Sequence, residues 1–366
     1  MIRRSNIAIS LGDPCGIGPE LLLGSLPAIH SWTDVTVVGS RAGVDLLTGL
    51  SGARVTWRWV EPPERLPAAF SGKAYWLEVH SIGGQSDHVT GEALWLDPTP
   101  EIGVDQLTLG KGSAASGRAT VEAIRVAARM TLDGATDALV TLPMAKSAAH
   151  LAGYPIPGHT EFLRDLSGAA ITRMAFVSPR LNVVLHTVHQ SLRSVVEGLD
   201  SDAVAETLTF STRQFIHLTR KCDLRVALCA MNPHAGEQGA FGGEERLLER
   251  AIKQAEASFR HEAQSAPMFS GPWPSDSVFQ RAALGEFDLV VALYHDQGLI
   301  PVKLLEPAQA VNLTLGLPFV RTSPDHGTAF DKAGKWVADS QNFMAATALA
   351  IRLSQGAHQT VPFTRA

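Results

Sequence analysis

RVALCAMNPH (225–234), DLVVALYHD (288–296) and NVVLHTVH (182–189) repeat one plan: a continuous apolar run, then a short polar stretch that carries a histidine. An apolar run of this length closed by polar residues reads as a strand buried on both faces, the kind found in parallel sheets. Working outward, NIAISLGD (6–13), DVTVVGS (34–40), ALVTLPM (138–144) and MAFVS (174–178) have the same form. Between them lie segments with helical spacing of apolar residues, such as SAASGRATVEAIRVAARMTLDG (113–134) and SDAVAETLTFSTRQFIHLTRK (201–221). Strands alternating with helices predict an α/β fold with a mostly parallel sheet core. Functional groups should then gather in loops after the carboxyl ends of strands.

Two stretches depart from that pattern. Residues 60–110 carry Pro62, Pro63, Pro67, Pro98 and Pro100 and read as irregular, with a strand around AYWLEV (74–79). Residues 263–274 read as a further loop. A chain of 366 residues exceeds one simple core, so two α/β lobes are expected. The predicted division is 1–137 plus 301–366 for the first lobe and 138–300 for the second.

Composition bounds the function. With 45% hydrophobic and 18% charged residues the chain reads as globular. A net charge of -5 argues against a nucleic-acid binder driven by bulk electrostatics. Apolar runs are too short for a membrane span, and MIRRSNIAISLGDP is too short and polar for a signal peptide. The three cysteines, Cys15, Cys222 and Cys229, form no CxxC pair, which fits a reducing, cytoplasmic setting. Cys15 reads as a small packing residue.

Four constellations carry chemistry. His189, His234 and His295 each follow a strand, and three neutral imidazoles with an open position are the usual ligand set of a catalytic divalent ion. Alternation along HTVHQ places His186 and His189 on opposite faces, so only one of them faces a site. Asp296 is a further ligand or the carboxylate that orients a histidine. LGDPCGIGPE (11–20) is a strand, a glycine-rich turn and a helix opened by proline. It reads either as a cradle of backbone N–H groups for an anion or as a purely structural connection, and it is not GxGxxG. PMAKSAAH (143–150) and YPIPGHTEFL (154–163) supply Lys146, a substrate-binding cation or proton carrier, and His159 with Thr160, suited to holding an oxyanion. The long segment 295–335 adds Lys303, Asn312 and Arg321, with Gly327 and Gly334 permitting close approach of a planar ligand.

With these motifs assembled, the chain resembles the 4-hydroxythreonine-4-phosphate dehydrogenase family of vitamin B6 biosynthesis. The resemblance runs in collinear order through GDPCGIGPE (12–20), PGHTEFL (157–163), NPHAGE (232–237), GPWPSDSVF (271–279), YHDQGLIPVK (294–303) and VNLTLGLPFVRTSPDHGTAFDKAGK (311–335). It implies two α/β/α lobes of the isocitrate and isopropylmalate dehydrogenase type, with the active-site cleft between lobes and at a dimer interface. It implies NAD- or NADP-dependent oxidation of 4-phosphohydroxy-L-threonine at a secondary alcohol, then loss of carbon dioxide, with one divalent ion (Zn, Mg, Co or Mn). By motif position the metal ligands are His189, His234 and His295, one of them from the partner subunit of an obligate homodimer. The substrate contacts are His159, Thr160, Lys303, Asn312 and Arg321, and the cofactor contacts His326, Gly327, Thr328 and Ala329. Lys146, or a water oriented by Asp296, is the expected proton donor after decarboxylation.

The chain also departs from the family pattern. Asp13 stands where glutamate is common and Cys15 where alanine is; HQSL, QGAFGGEE and LLEPAQAVN are likewise uncommon versions. None touches the metal histidines, but they bear on the substrate. Paralogous dehydrogenases of phosphorylated threonate or erythronate, or of carboxylated aromatic cis-dihydrodiols, are the alternatives within the fold. A non-catalytic metal- or ligand-binding homologue is the alternative of another class.

Overall fold

A computed structural model describes residues 4–51, 53–64, 66–67, 70–80, 89–260 and 266–355. Contacts divide the chain into two compact units. One runs to Ile171 and resumes over Leu317–Gln355; the other is Thr172–Gly316.

The first unit contains β1 (Asn6–Ser10), α1 (Gly18–Trp32), β2 (Asp34–Val38), α2 (Arg41–Ser51), β3 (Val55–Val60), β4 (Lys73–His80), β5 (Val89–Asp97), α3 (Ala114–Leu132), β6 (Ala138–Thr141), α4 (Lys146–Leu151) and α5 (His159–Ser167). The second contains β7 (Arg173–Val177), β8 (Asn182–Leu185), α6 (Leu192–Glu197), α7 (Ser201–Thr219), β9 (Arg225–Cys229), α8 (Glu245–Phe259), β10 (Met268–Trp273), α9 (Ser275–Ala283), β11 (Leu289–Ala292), α10 (His295–Leu305) and β12 (Val311–Leu315). The chain then returns to the first unit with β13 (Val320–Ser323) and α11 (Gln341–Ser354).

In the first unit the strand order is β13-β6-β1-β2-β5-β4-β3, parallel from β13 to β5 and antiparallel through β4 and β3. Ala8, Val38, Leu96 and Leu139 pack against Ala123, Ile124 and Ala127 of α3. Alternation sends Ile7 and Ile9 to the opposite face, where they too are fully buried. Such a sheet is covered on both sides, which is why its central strands read as unbroken apolar runs. Helix α3 starts where Ser113 Oγ accepts the Ser116 N–H, a capping arrangement that satisfies an otherwise orphan donor.

In the second unit the order is β10-β9-β11-β8-β7-β12. Strands β10, β9, β11 and β8 are parallel, while β7 runs antiparallel to both β8 and β12. Val183, Leu185, Ala227, Cys229, Val290 and Ala292 form its core with Val278 and Phe279 of α9 and Leu299 and Val302 of α10. Because β8, β9 and β11 are parallel, the segments bearing His189, His234 and His295 leave the sheet at one edge.

Both expected lobe boundaries shift toward the C-terminus. Residues 138–141 pair with β1 and with β13, so they cannot leave the first sheet, and α4 and α5 pack on α3. Residues 311–315 pair with β7 and stay with the second. The loop expected over 263–274 contains β10: among the described residues it pairs with β9 alone, and such an edge strand tolerates Pro272 and Gly271 because its outer N–H groups need no partner strand. The strand expected at 74–79 is the middle of β4; part of the irregular stretch around it lies outside the described residues.

Candidate active site

His189 and His295 are the close pair of the histidine trio, with ring centroids 6.0 Å apart. His295 opens α10, and its Nδ1 lies 2.7 Å from Asp296 Oδ1. A ring that donates from Nδ1 to that carboxylate keeps the Nε2 lone pair free, the arrangement of a metal-binding imidazole backed by a carboxylate. His186 does otherwise. Its Nδ1 is 2.8 Å from Thr207 Oγ1, and burial pulls its pKa down to about 4, so it is a satisfied neutral histidine off the site.

His234 sits in an unusual turn. From His234 to Gln238 the backbone has φ of 52, 53, 74, 40 and 56°, and only Gly236 adopts that region without strain. The turn is held from beneath by Glu245, 6% exposed, whose carboxylate accepts the Asn232 N–H at 2.8 Å and Asn232 Nδ2 at 3.0 Å. A side chain on Gly236 would collide with that carboxylate, its Cβ falling 2.5 Å from Oε2. Among the described residues of one chain, no three His, Cys, Asp or Glu side chains converge closely enough to hold a metal ion.

In the first unit, His159 and Thr160 open α5 behind an extended Gly158 that offers no side-chain cap. The first N–H groups of that helix are therefore available to an anion. Arg321, 2% exposed in β13, donates from Nε (3.2 Å) and Nη2 (2.5 Å) to Thr141 Oγ1 at the end of β6. Burial pulls its guanidinium down to about 9, with Glu161 acting in the opposite direction, so it stays charged at neutral pH. Lys146, first residue of α4, reaches the same place: a Cβ on Gly158 would lie 3.8 Å from its Nζ. Burial, then the charges of Arg321 and Lys146, hold His159 well below the usual histidine range. The result is a neutral imidazole beside two cations at a helix N-terminus, with the Glu161 carboxylate also close, its Oε2 3.0 Å from where a Cβ on Gly158 would sit.

Lys303 is an exposed residue of α10 and Asn312 belongs to β12, both in the second unit. The glycine-rich loop at 12–20 does not read as an anion cradle, because its groups are engaged with other segments. The Asp13 N–H donates to Pro143 O at 2.9 Å, and the Ile17 N–H to Thr328 O at 3.1 Å. The loop thus touches the stretch 326–329, where His326 Nδ1 faces Gly327 O at 3.1 Å and Ala329 has φ 42°. Asp13, 1% exposed, accepts the Cys15 N–H (2.9 Å) and the Ser116 hydroxyl (3.2 Å), yet burial still pushes its pKa up to about 6. Cys15 is buried in a cluster with Ile102, Leu107 and Ala119, which is a packing role.

Three of the expected ligand-contacting residues share a property. His159 Nε2, Asn312 Oδ1 and His326 Nε2 are all enclosed without a hydrogen-bond partner. An enclosed polar atom left unpaired costs about 1–3 kcal/mol, and a bound ligand is one way to recover it. Sequence reasoning missed Glu20 and Glu245, two nearly buried carboxylates that hold loops rather than ligands. Only the general rarity of buried glutamate could have flagged them, and burial was not visible.

Residues 68–350 match the family model described as pyridoxal phosphate biosynthetic protein PdxA. A 4-hydroxythreonine-4-phosphate dehydrogenase of Desulfosudis oleivorans is 38% identical over 95% of this chain and 96% of its own length. A D-threonate 4-phosphate dehydrogenase of Cupriavidus necator is 37% identical over 93% and 94%. Among solved structures, the 4-hydroxythreonine-4-phosphate dehydrogenase of Klebsiella pneumoniae superposes with a TM-score of 0.75 at 33% identity, covering 96% of this chain and all of that one. On these grounds the chain belongs to the pyridoxal phosphate biosynthetic protein PdxA family.

Proposed function

We propose that the chain is an NAD(P)-dependent dehydrogenase that oxidises the 3-hydroxyl of 4-phosphohydroxy-L-threonine, the 3-oxo acid then losing carbon dioxide to give 3-amino-2-oxopropyl phosphate. The observation that carries the reading is the set of enclosed, unpartnered atoms on His159, Asn312 and His326. These are residues to which family motifs give substrate and cofactor contacts. Arg321, Lys146 and the α5 N-terminus supply positive character for a phosphate or carboxylate, and Thr160 adds a hydroxyl at the same helix end. By family motif, Lys303 and Asn312 of the second unit are also assigned to substrate, and His326, Gly327, Thr328 and Ala329 to the dinucleotide.

The donor set His189, His234 and His295 fits a divalent ion of borderline character, zinc or cobalt before magnesium or manganese. When bound, the ion would supply Lewis-acid polarisation and the nicotinamide a hydride acceptor. The chain's own part is positional. Asp296 holds the His295 ring, and Arg321 and the α5 N-terminus fix the anionic end of the substrate. Lys146 Nζ, beside Gly158, is the candidate to return a proton to the product carbon. We read the working unit as a homodimer in which the partner subunit contributes to each site, a reading in keeping with the separation of the three histidines among the described residues of one chain. No helix among the described residues is long and apolar enough to cross a membrane, and the three cysteines are free, which supports a cytoplasmic setting.

A second reading rests on the Cupriavidus necator relative, named for D-threonate 4-phosphate and as similar as the others. The two substrates share phosphate, 3-hydroxyl and carboxylate, and differ at C2, an ammonium in one and a hydroxyl in the other. The test is nicotinamide reduction by the metal-loaded protein on both compounds, with a carboxylated cis-dihydrodiol as a third arm. Turnover of the amino compound at least tenfold above the others supports the first reading. Preference for the dihydroxy acid replaces it with the second, and no turnover of any of them ends the dehydrogenase reading.

A further inference from the structure

We infer that Glu20 is the positioning residue of the dinucleotide loop, and that GDPCGIGPE is a brace for that loop. The inference rests on residues 326–329 contacting the dinucleotide, as proposed above. Glu20 lies in the first turn of α1, 4% exposed, and its two carboxylate oxygens are both spent on one distant segment. Oε1 accepts the Gly334 N–H and Oε2 the Trp336 N–H, the latter at 2.9 Å. Nothing local requires this: the partners are more than three hundred positions away in sequence.

The segment so held does not have an easy backbone. Ala329 (φ 42°) and Trp336 (φ 55°) occupy the left-handed region that side chains disfavour, and Gly334 (φ 81°) lies between them. Conformations of this kind persist only where the surroundings over-determine them. The surroundings here are the 12–20 loop at two points. Toward the start of the segment, the Ile17 N–H donates to Thr328 O at 3.1 Å, and a Cβ on Gly16 would approach that oxygen to 2.9 Å. Toward its end, Glu20 holds Gly334 and Trp336. Burial raises the Glu20 pKa above the ordinary carboxylate range, so its ionised form is stabilised mainly by these two N–H groups. Directly before the first clamp, a Cβ on Gly327 would meet nothing within 4 Å, and His326 Nε2 is enclosed without a partner. A segment held at Thr328, Gly334 and Trp336 thus fixes the open stretch at its head, which presents backbone and one imidazole to a ligand.

The test uses the full-length, metal-loaded enzyme with Glu20→Gln and Glu20→Asp. In glutamine one acceptor becomes a donor that faces an N–H, so one clamp is lost. The expected result is a dinucleotide KM raised about tenfold or more, with kcat within about threefold. Substrate KM and metal affinity should not move, and amide exchange should quicken at Gly334 and Trp336. Glu20→Asp, which keeps the charge, should recover part of the loss. Gly16→Ala presses on Thr328 from the other clamp and should give the same dinucleotide-specific change, which covers the case in which the Glu20 variants fold poorly. Equal rises in the KM of substrate and dinucleotide, or no change in exchange, would overturn the inference and leave the loop's ligand untouched. Faster exchange with an unchanged dinucleotide KM would instead remove the dinucleotide reading of 326–329, and the inference with it.

Discussion

Asp13→Asn should make the protein more stable above about pH 6, and the size of the gain follows from where the carboxylate sits. Asp13 is 1% exposed, and its pKa is raised from 3.8 to about 6 despite bonds from the Cys15 N–H and the Ser116 hydroxyl. A raised carboxylate pKa means that the native state holds a proton which the unfolded chain has already released. The contribution of this group is therefore most favourable below about pH 4 and is lost as pH rises through about 6. A shift of roughly two units corresponds to about 3 kcal/mol, the ceiling of what removing the charge can return. Asparagine fits the site: Oδ1 keeps the Cys15 N–H, and the Ser116 hydroxyl can turn to accept from Nδ2. The assay is the difference in unfolding midpoint between variant and wild type, followed from pH 4 to pH 8. It should grow from near zero at the acid end to a plateau above pH 6. A variant that is less stable at pH 8, with a difference that ignores pH, would show that Asp13 ionises without cost and would refute the argument.

Other expectations follow from the same geometry. Alanine at any one of His189, His234 or His295 should abolish metal binding. When two such inactive variants are mixed as hybrid dimers, pairs whose histidines come from opposite protomers should regain up to about a quarter of wild-type activity, since half the dimers carry one intact site. Two of the three pairings should recover, and recovery by none would place the site within one chain. His186→Asn should retain full metal content by atomic absorption, because that ring is committed to Thr207; metal loss would return His186 to the ligand set. It should also flatten the acid limb of stability. A histidine lowered from 6.5 to about 4 contributes stability that is present above about 6.5 and lost as pH falls toward 4. Arg321→Lys should raise the KM of a phosphorylated substrate at least tenfold, because a lysine cannot reproduce the two-nitrogen grip on Thr141; an unchanged KM would remove Arg321 from the anion site. Binding of inorganic phosphate should draw a proton onto His159 by offsetting Arg321 and Lys146, read as a buffer-dependent binding enthalpy; a buffer-independent enthalpy would argue against it.

The parts of the fold legible in sequence are those determined by local pattern. The apolar runs of β1, β2, β6, β7, β8, β9 and β11 are unbroken because each strand is buried on both faces, so length and punctuation sufficed. Strand β10 was hidden by Gly271 and Pro272, and the ladder that defines it runs to β9, more than forty positions earlier. The antiparallel insertion of β7 between β8 and β12 was equally out of reach, since direction is set by which strands meet and not by what they contain. The lobe boundaries moved for the same reason: the pairing of β6 and of β12 assigns their residues, and pairing is not written in either segment alone.

The candidate site divides along the same line. Candidates chosen by chemical type were legible in the sequence as imidazole after a strand, guanidinium in an apolar stretch and glycine before a helix, although His186 shows that such an imidazole can simply pair with a neighbour. Their positions differ in kind, however. His189, His234, His295, Lys146 and the 12–20 loop follow strand ends, as parallel α/β geometry predicts. Arg321 and Asn312 lie inside β13 and β12, where a polar side chain must find a partner in the core or leave an atom for a ligand. Arg321 meets Thr141 through Nε and Nη2, and Asn312 Oδ1 is enclosed without a partner. Residues that act by holding others remained invisible. Glu20 fixes Gly334 and Trp336, and Glu245 fixes the left-handed turn of His234. Each is an unremarkable glutamate near a helix start until its distant partner is known. A left-handed stretch of five residues has the same opacity, for Gly236 alone signals it while Glu245 beneath sustains it. Candidate residues are thus legible by identity, whereas the geometry that holds them is carried by long-range contacts between ordinary residues.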